Sequence, residues 1–190
     1  MNILAVDQAR RGAWSVYNTS TKQLIDTGAF YFDNDVYSYP QTIALIEDLF
    51  ESLVCSFDIK FAVIEDIQLR RNAQSFKKLA HLQGVLVNFC EKHKLAYGIV
   101  APTQWQSLCK QIVKKSLGLD NSELKKMKLS TKDISKMFVK RTFGIETEDD
   151  NLSDAICIGY YCLENKLYKS KLEESRTIKR RKGDKKNGKS

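Results

Sequence analysis

The chain opens with a short apolar run that ends on an acid. Residues 3–6 are Ile, Leu, Ala and Val, and Asp7 follows them directly. Such a run is typical of a strand buried on both faces. A charged carboxylate is not left in a dry core without a partner, because its desolvation costs too much free energy. The run therefore predicts a cleft at the carboxyl end of the strand, where Asp7 lies.

Two later segments repeat this arrangement. Residues 61–64 are Phe, Ala, Val and Ile, and they lead into Glu65. Residues 149–154 read Asp-Asp-Asn-Leu-Ser-Asp and precede an apolar helical pattern. Asp150 and Asp154 are four residues apart, so both project from one helical face. If the strands that end at Asp7 and Glu65 are neighbours, the acids lie within several ångströms of each other.

Acids gathered in this way favour a metal site. Carboxylates at one place repel one another, so their ionisation is suppressed unless a cation offsets the charge. Mg²⁺ and Mn²⁺ prefer carboxylate oxygens and water as ligands. Two such ions about 4 Å apart hold an attacking water and a leaving oxygen in line across a phosphodiester. Asp7, Glu65 and Asp154 therefore indicate a nuclease site with two Mg²⁺ or Mn²⁺ ions.

Each acid also has a simpler interpretation. Asp7 could end a strand at a turn, Glu65 could pair with a lysine, and Asp150 could be a helix N-cap. An actin-like or sugar-kinase ATPase also begins with an apolar strand, an acid and a turn. That fold needs glycine-rich phosphate loops and about twice the length, and the 190-residue sequence has neither.

Hydrophobic periodicity predicts an α/β fold, a five-stranded mixed sheet with helices on both faces. The first three strands, at residues 2–7, 13–17 and 23–32, form an antiparallel meander. The strand–helix–strand order places the fourth strand parallel to an earlier one. Residues 113–130 are lysine-rich and weakly periodic, which predicts an exposed basic insertion. The remaining elements are strands at 61–65 and 97–100 and helices at 40–57, 72–92, 102–112, 131–142 and 151–167.

The net charge of +8 is concentrated at the end of the chain. Residues 176–190 contain eight lysines and arginines and one aspartate. Such a segment is too polar to fold alone and favours nucleic acid as its partner. We therefore divide the chain into one domain, residues 1–168, and a basic disordered tail, residues 169–190.

The five cysteines are scattered, and no two have the spacing of a zinc site. They are interpreted as reduced core thiols of a cytoplasmic protein. The sequence has no charged leader and no apolar run of about 18 residues, so neither secretion nor a membrane span is predicted.

The order and spacing of these motifs resemble the RuvC-like Holliday junction resolvases of the ribonuclease H-like superfamily. The likeness covers residues 2–161 and is greatest for resolvases carried by bacteriophages. It implies a metal-dependent endodeoxyribonuclease that cuts Holliday junctions and other branched DNA, in the host cytoplasm if a phage encodes the chain. The matching pieces are residues 3–7, Ile64-Glu65 with residues 71–75 and the helix that contains Gly84, and residues 152–156.

Carried over by position, the resemblance implies that Asp7, Glu65 and Asp154 are catalytic carboxylates that bind metal. The fourth acid of the family falls on Asn151 in this sequence. Asp150, one residue earlier, is the candidate substitute, and the amide oxygen of Asn151 is a weaker candidate ligand. Two alternatives stay open: a related nuclease that cuts RNA or RNA–DNA hybrids, and a catalytically weak protein that binds junctions.

Basic residues near the acidic ends are candidates for phosphate contacts, with a solvated charged face as the alternative for each. Lys132 resembles a family lysine close to the scissile phosphate, which implies a catalytic role. A two-fold homodimer with one site per subunit would cut both symmetrical strands of a four-way junction. The helix at 72–92 is long and apolar enough to form the dimer surface. The candidates near the acidic ends are Arg10, Arg11, Arg70, Arg71, Lys77 and Lys78. Lys114 and Lys115 are candidates for contact with a further duplex arm.

Overall fold

A computed structural model describes residues 1–68 and 72–173. Strands β1 (Asn2–Asp7), β2 (Arg11–Asn18) and β3 (Leu24–Tyr31) form an antiparallel meander. Helix α1 (Tyr39–Ser56) leads to β4 (Ile59–Glu65), and α2 (Ala73–His93) leads to β5 (Ala96–Val100). Strand β4 lies parallel to both β1 and β5, and the sheet order is β3-β2-β1-β4-β5. The predicted five-stranded mixed sheet is confirmed.

Four further helices follow the sheet: α3 (Pro102–Leu117), α4 (Asn121–Lys126), α5 (Thr131–Phe143) and α6 (Asp150–Glu164). Side-chain alternation along β1 separates two cores. Ile3 and Ala5 pack with residues of α3, α5 and α6, whereas Leu4 and Val6 pack with residues of α1 and α2. Helices thus cover both faces of the sheet, and β1 is apolar throughout because both of its faces are buried.

Local signals set most helix boundaries. Pro102 begins α3 in the first turn, where the missing N–H breaks no helical hydrogen bond. The side chain of Asn72 accepts hydrogen bonds from the first amides of α2. Gly144 ends α5 in the left-handed conformation, with φ of 71°, which glycine adopts without strain.

Residues 113–130, predicted as an exposed basic insertion with weak periodicity, contain helical structure. Helix α3 continues through Leu117, α4 follows it, and Val113 and Leu124 are buried. Most of the lysines here are exposed, and their number conceals the few apolar positions at helical spacing that pack inward. Residues 167–173 are helical, so the segment predicted as a disordered tail from 169 begins in a helix. Residues 174–190 of that tail lie outside the described residues.

Four of the five cysteines are buried, as predicted, but Cys55 is exposed on α1. The prediction of a core thiol is wrong at this position because the apolar stripe of α1 faces the sheet elsewhere, through Ile46, Phe50 and Leu53. In the described part of the chain, no helix combines the length and the apolar character that crossing a membrane requires.

Helix α6 lies against β2 with almost no space between them. The hydroxyl of Ser15 donates a hydrogen bond to the carbonyl oxygen of Ala155 at 2.7 Å, and the hydroxyl of Tyr17 donates to that of Ile156 at 2.8 Å. A Cβ atom on Gly159 would overlap the Tyr17 ring and lie 2.7 Å from Ser15 Oγ. Glycine is therefore required for this close approach.

We expect Gly159→Ala to lower the free energy of unfolding by about 1–3 kcal/mol. The buried Tyr17 ring cannot move aside without losing its hydrogen bond, so α6 must shift away from β2. Gly84→Ala is the matched control, because nothing lies within 4 Å of the Cβ position at Gly84. In the isolated monomer that variant should be neutral or more stable by up to about 1 kcal/mol. Urea unfolding followed by circular dichroism measures both, and equal stability of the two variants would contradict the packing.

Candidate active site

Strands β1 and β4 end at the same level. The last residue pair of their parallel ladder directly precedes Asp7 and Glu65, and adjacent strands lie about 4.8 Å apart. Two residues earlier, Ala5 and Val63 belong to the core beneath α3, α5 and α6. Side chains two apart in a strand share a face, so Asp7 and Glu65 lie on that face at one edge of the sheet.

The hydrogen bonds from β2 set the direction of α6. In the ladder between β1 and β2, Ser15 pairs with Ala5 and Tyr17 pairs with Ile3, so Ser15 lies nearer the carboxyl end of β1. Ser15 contacts Ala155, the earlier of the two helix residues, and Tyr17 contacts Ile156. Helix α6 therefore runs antiparallel to β1, and Asp154 lies towards the end of β1 that carries Asp7. The three predicted acids therefore lie towards the same end of β1.

The carboxylates at this edge are not gathered into a closed cluster. Within residues 1–68 and 72–173, no three Asp, Glu, His or Cys side chains converge closely enough to hold a metal ion. Like charges repel at short range, and donors on α3 and α5 contact Glu65 and Asp150 instead. Glu65 and Asp150 thus have different partners at this end of the sheet.

Glu65 is held through both its side chain and its backbone. The indole N–H of Trp105 donates to Glu65 Oε1 with an N···O distance of 2.9 Å. The side-chain amides of Gln8 and Gln83 donate to the Glu65 carbonyl oxygen at 2.6 and 3.0 Å. Contacts from β1, α2 and α3 therefore fix the end of β4.

Asp150 is paired with two lysines of α5. Lys132 donates to Asp150 Oδ2, and Lys136 Nζ lies 3.1 Å from Oδ1. The hydrogen bond from Lys132, followed by that from Lys136, lowers the pKa of Asp150 below its ordinary value. Lys136 also contacts Glu148 at 3.2 Å. Asp150 is therefore ionised and already balanced by positive charge.

The N-cap of α6 is Asp149, so the interpretation of Asp150 as the cap is wrong. The Asp149 carboxylate accepts hydrogen bonds from the amides of Asn151 and Leu152 at 2.8 and 3.2 Å. Asp150 is the first helical residue, and Asn151 is half-buried one turn before Asp154.

Unlike that of Asp150, the side chain of Asp154 is largely buried. Its Oδ1 atom is buried and has no hydrogen-bond partner. The pKa of Asp154 is raised to about 6, chiefly by burial and in smaller part by the charge of Asp150, while a hydrogen bond from Ser135 and the charge of Lys132 act in the opposite direction. A buried carboxylate oxygen without a donor favours a nearby cation. Carboxylate oxygens of this kind are the donor type that Mg²⁺ and Mn²⁺ prefer.

The predicted DNA-binding residues differ in how accessible their charges are. Arg10 is half-buried, and its guanidinium donates to the carbonyl oxygens of Phe32, Asp33 and Tyr37, which gives it a structural role. Arg11 is exposed, with its guanidinium 4.8 Å from the centre of the Tyr31 ring.

The lysines lie in two places. Lys77 and Lys78 are exposed in the second turn of α2, just after the end of β4. Lys114 and Lys115 are near the other end of α3, about 15 Å along the helix from Trp105 at 1.5 Å per residue. They therefore lie well away from the contact between Trp105 and Glu65. Arg70 and Arg71 lie outside the described residues.

Some residues that contact the acids are absent from the sequence-based prediction: Gln8, Gln83, Trp105, Ser135 and Lys136. Lys136 could have been found, because it lies four residues after Lys132 on the same helical face. Trp105, Gln83 and Ser135 gave no comparable signal, since each reaches its acid from another element of the fold.

Comparison with solved structures identifies the fold. Thermus thermophilus RuvC, alone and in complex with Holliday junction substrate, matches with a TM-score of 0.63 and 13% sequence identity, over 88% of this chain and 96% of that chain. The yeast mitochondrial Holliday junction resolvase Ydc2 matches with a TM-score of 0.52 and 14% identity, over 93% of this chain and 82% of that chain. No protein-family model and no curated protein matches the sequence. The chain thus has a ribonuclease H-like fold of the RuvC type.

We expect Asp154→Asn to stabilise the protein in the presence of a chelator at neutral pH. The pKa of Asp154 is raised from 3.8 to about 6 in the folded state, so folding favours its protonated form. The stability that this group contributes is present below about pH 4 and is lost as the pH rises through about 6. At about pH 7.5 the variant should gain up to about 3 kcal/mol, whereas near pH 4 the gain should vanish.

Asp150→Asn is the control, and it should change the free energy of unfolding in the opposite direction. The pKa of Asp150 is lowered by the two lysines, so the ionised form stabilises the fold above its ordinary pKa and removal of the charge should destabilise it. Urea unfolding of both variants across this pH range measures the two effects. An Asp154→Asn protein less stable than the parent at about pH 7.5 would contradict the assignment.

Proposed function

We propose that this chain is a metal-dependent endodeoxyribonuclease that recognises DNA structure and hydrolyses phosphodiesters in Holliday junctions and other branched DNA. The observation that carries the proposal is the position of Asp7, Glu65 and Asp154 towards the same end of β1 in a ribonuclease H-like fold. Solved structures of similar fold, RuvC and Ydc2, are described as acting on or resolving Holliday junctions, which supports the choice of substrate.

Asp7, Glu65 and Asp154 would hold Mg²⁺ or Mn²⁺, two ions per site, with Asp150 and Asn151 as candidates for a further ligand. When bound, such ions activate the attacking water and stabilise the leaving oxygen of a phosphodiester. The unpartnered oxygen of Asp154 supports this ligand set.

The lysines of α5 would act on the phosphate. Lys132 is exposed and near the N-terminus of its helix, and it would offset the charge that develops on the phosphate oxygens. Asp150 would hold Lys132 and Lys136 at the edge of the site until DNA arrives. This role suits Asp150 better than metal binding does, because its charge is already balanced by two cations.

DNA would cross the edge of the sheet along exposed basic residues. Arg11, Lys77 and Lys78 lie close to the acidic strand ends, with Arg70 and Arg71 assigned from the sequence alone. Arg10 would contribute less, because carbonyl oxygens already accept from its guanidinium. Phosphate contacts position a duplex without reading its sequence. Lys114 and Lys115 would contact a second arm of the junction.

A homodimer would supply two sites for the two symmetrical cuts. We assign the dimer surface to α2, whose buried stripe, Leu82, Leu86, Phe89 and Cys90, packs on the sheet. Gly84 is exposed in the middle of this helix with open space around it. Glycine at an exposed helical position lowers stability and is explained if a second copy approaches closely there.

We expect Asp7→Asn to abolish cleavage of four-way junctions while junction binding persists. The substitution keeps the size of the side chain and removes its charge, and the loss of several kcal/mol of transition-state stabilisation lowers the rate at least about 100-fold. Gel assays with Mg²⁺ or Mn²⁺ on junctions, forks, flaps, linear duplex and RNA–DNA hybrids measure the effect. Asp48→Asn is the matched control, because Asp48 is exposed on α1, on the opposite face of the sheet.

Three outcomes would contradict the proposal in different ways. Undiminished cleavage by Asp7→Asn would show that the site is elsewhere. Preferential cutting of hybrids or linear RNA would favour the related RNA-directed nuclease. Junction binding without cleavage by the parent protein, with either metal, would favour a binding protein.

We expect the double substitution Lys77→Gln and Lys78→Gln to weaken junction binding equally for junctions of different sequence. Each lost phosphate contact reduces the slope of log affinity against log salt by about 0.9, so the slope should fall by about 2. Fluorescence anisotropy in an Asp7→Asn background, over a range of salt concentrations, measures the slope. Lys60→Gln is the control, because Lys60 is exposed near the amino end of β4, at the opposite edge of the sheet. An equal loss in the control would show only a general charge effect.

A further inference from the structure

The bond between Trp105 and Glu65 is specific in its geometry. Trp105 is 1% exposed and lies in the first turn of α3, in the same core as Cys109 and Val113 further along that helix. Its indole N–H donates to Glu65 Oε1 at 2.9 Å. An indole has one donor and no acceptor, and its ring is fixed by packing. The bond therefore defines where one oxygen of Glu65 lies.

The backbone of Glu65 is fixed at the same time. Gln8 is 3% exposed, and its amide meets that of Gln83 at the Glu65 carbonyl oxygen. Gln8 directly follows Asp7, so the ends of β1 and β4 are joined by a side-chain hydrogen bond as well as by the ladder. The backbone is thus held by the residue after β1 and by α2, while Trp105 of α3 holds one oxygen of the Glu65 side chain.

The type of donor matters for what Glu65 can do. Asp150 is paired with two lysines, which offset its charge, whereas the hydrogen bond that Trp105 gives to Glu65 comes from a neutral indole. A neutral donor orders a carboxylate and leaves its negative charge available to a cation. An unrestrained glutamate loses up to about 2 kcal/mol of side-chain entropy when it is immobilised, and an ordered one has already lost part of it.

We propose that Trp105 is a positioning residue, which orients the Glu65 carboxylate for a divalent cation. The inference rests on the proposed function, in which Glu65 is a metal ligand. Partners that orient metal ligands in this way typically contribute 10–100-fold to metal affinity or activity. The competing explanation is that a buried indole N–H needs an acceptor and that Glu65 supplies one, without consequence for metal binding.

Trp105→Phe distinguishes the two explanations, because phenylalanine keeps most of the packing and removes the donor. We expect its affinity for Mn²⁺, measured on DNA-free protein by titration calorimetry, to fall about tenfold or more. The Mg²⁺ concentration for half-maximal junction cleavage should rise by a similar factor, and the rate at saturating Mg²⁺ should approach that of the parent. Trp14→Phe is the matched control, since Trp14 is half-buried against the core beneath α1 and α2.

A double-substitution cycle tests whether Trp105 acts through Glu65. In a Glu65→Gln background, Trp105→Phe should cause no further loss of Mn²⁺ affinity. An unchanged affinity in Trp105→Phe alone, or an equal loss in both backgrounds, would overturn the inference.

If Trp105→Phe does not fold, nuclear magnetic resonance of protein that retains Trp105 provides a second test, through the signal of its indole N–H. The chain has two tryptophans, so the indole signal that survives in Trp14→Phe belongs to Trp105. We expect Mg²⁺ and Glu65→Gln each to shift this signal and to leave that of Trp14 in place. A Trp105 signal that responds to neither would overturn the inference.

The two proposals fail in distinguishable ways. A parent protein that binds Mn²⁺ through Trp105 and Glu65 but cuts no branched DNA would contradict the proposed function and support the positioning role. A parent protein that cuts junctions, with a metal requirement unaltered in Trp105→Phe, would contradict the positioning role alone. A parent protein that binds no Mn²⁺ would contradict both.

Discussion

The parallel register of β1 against β4 is the constraint on which the site depends. Shifting a strand by one residue turns every side chain to the other face, so a slip would move Asp7 or Glu65 to the side covered by α1 and α2. Both strands are buried on both faces, and each face has its own set of apolar partners. A shifted register would therefore disrupt two cores at once, and packing, not the acids, fixes where the acids lie.

Asp154, Asp150 and Glu65 have different electrostatic environments. Burial opposes the charge of Asp154 and raises its pKa, lysines offset the charge of Asp150, and an indole orders Glu65 without neutralising it. Carboxylates that share a site without a cation are expected to differ in this manner, because full ionisation of all of them is unfavourable. Within the proposed function, these differences assign cation binding to Asp154 and Glu65 and the anchoring of Lys132 to Asp150.

The strands and the acids were predictable because their signals are local. An apolar run that stops at an acid, a proline at a helix start and Gly144 at a helix end each act within a few residues. The contacts that define the chemistry are not local: Trp105 reaches Glu65 across 40 positions in sequence. In residues 113–130, the many exposed lysines obscured the few apolar positions that pack inward, so the helices there were missed. Asp149 was passed over as the cap because its neighbour Asp150 has the same side chain.

The antiparallel meander also contributes to the site by positioning α6, the helix that carries Asp154. Its second strand holds α6 through hydroxyl groups, and Ser15 and Tyr17 donate to carbonyl oxygens in the helix interior rather than at its ends. Gly159 lets the helix come close enough for both bonds to form. Because Asp154 directly precedes the first of these anchored residues, its height above the sheet is set by β2. A change at Gly159 would therefore move Asp154 relative to Asp7 and Glu65, although it lies more than a helical turn away and carries no functional group.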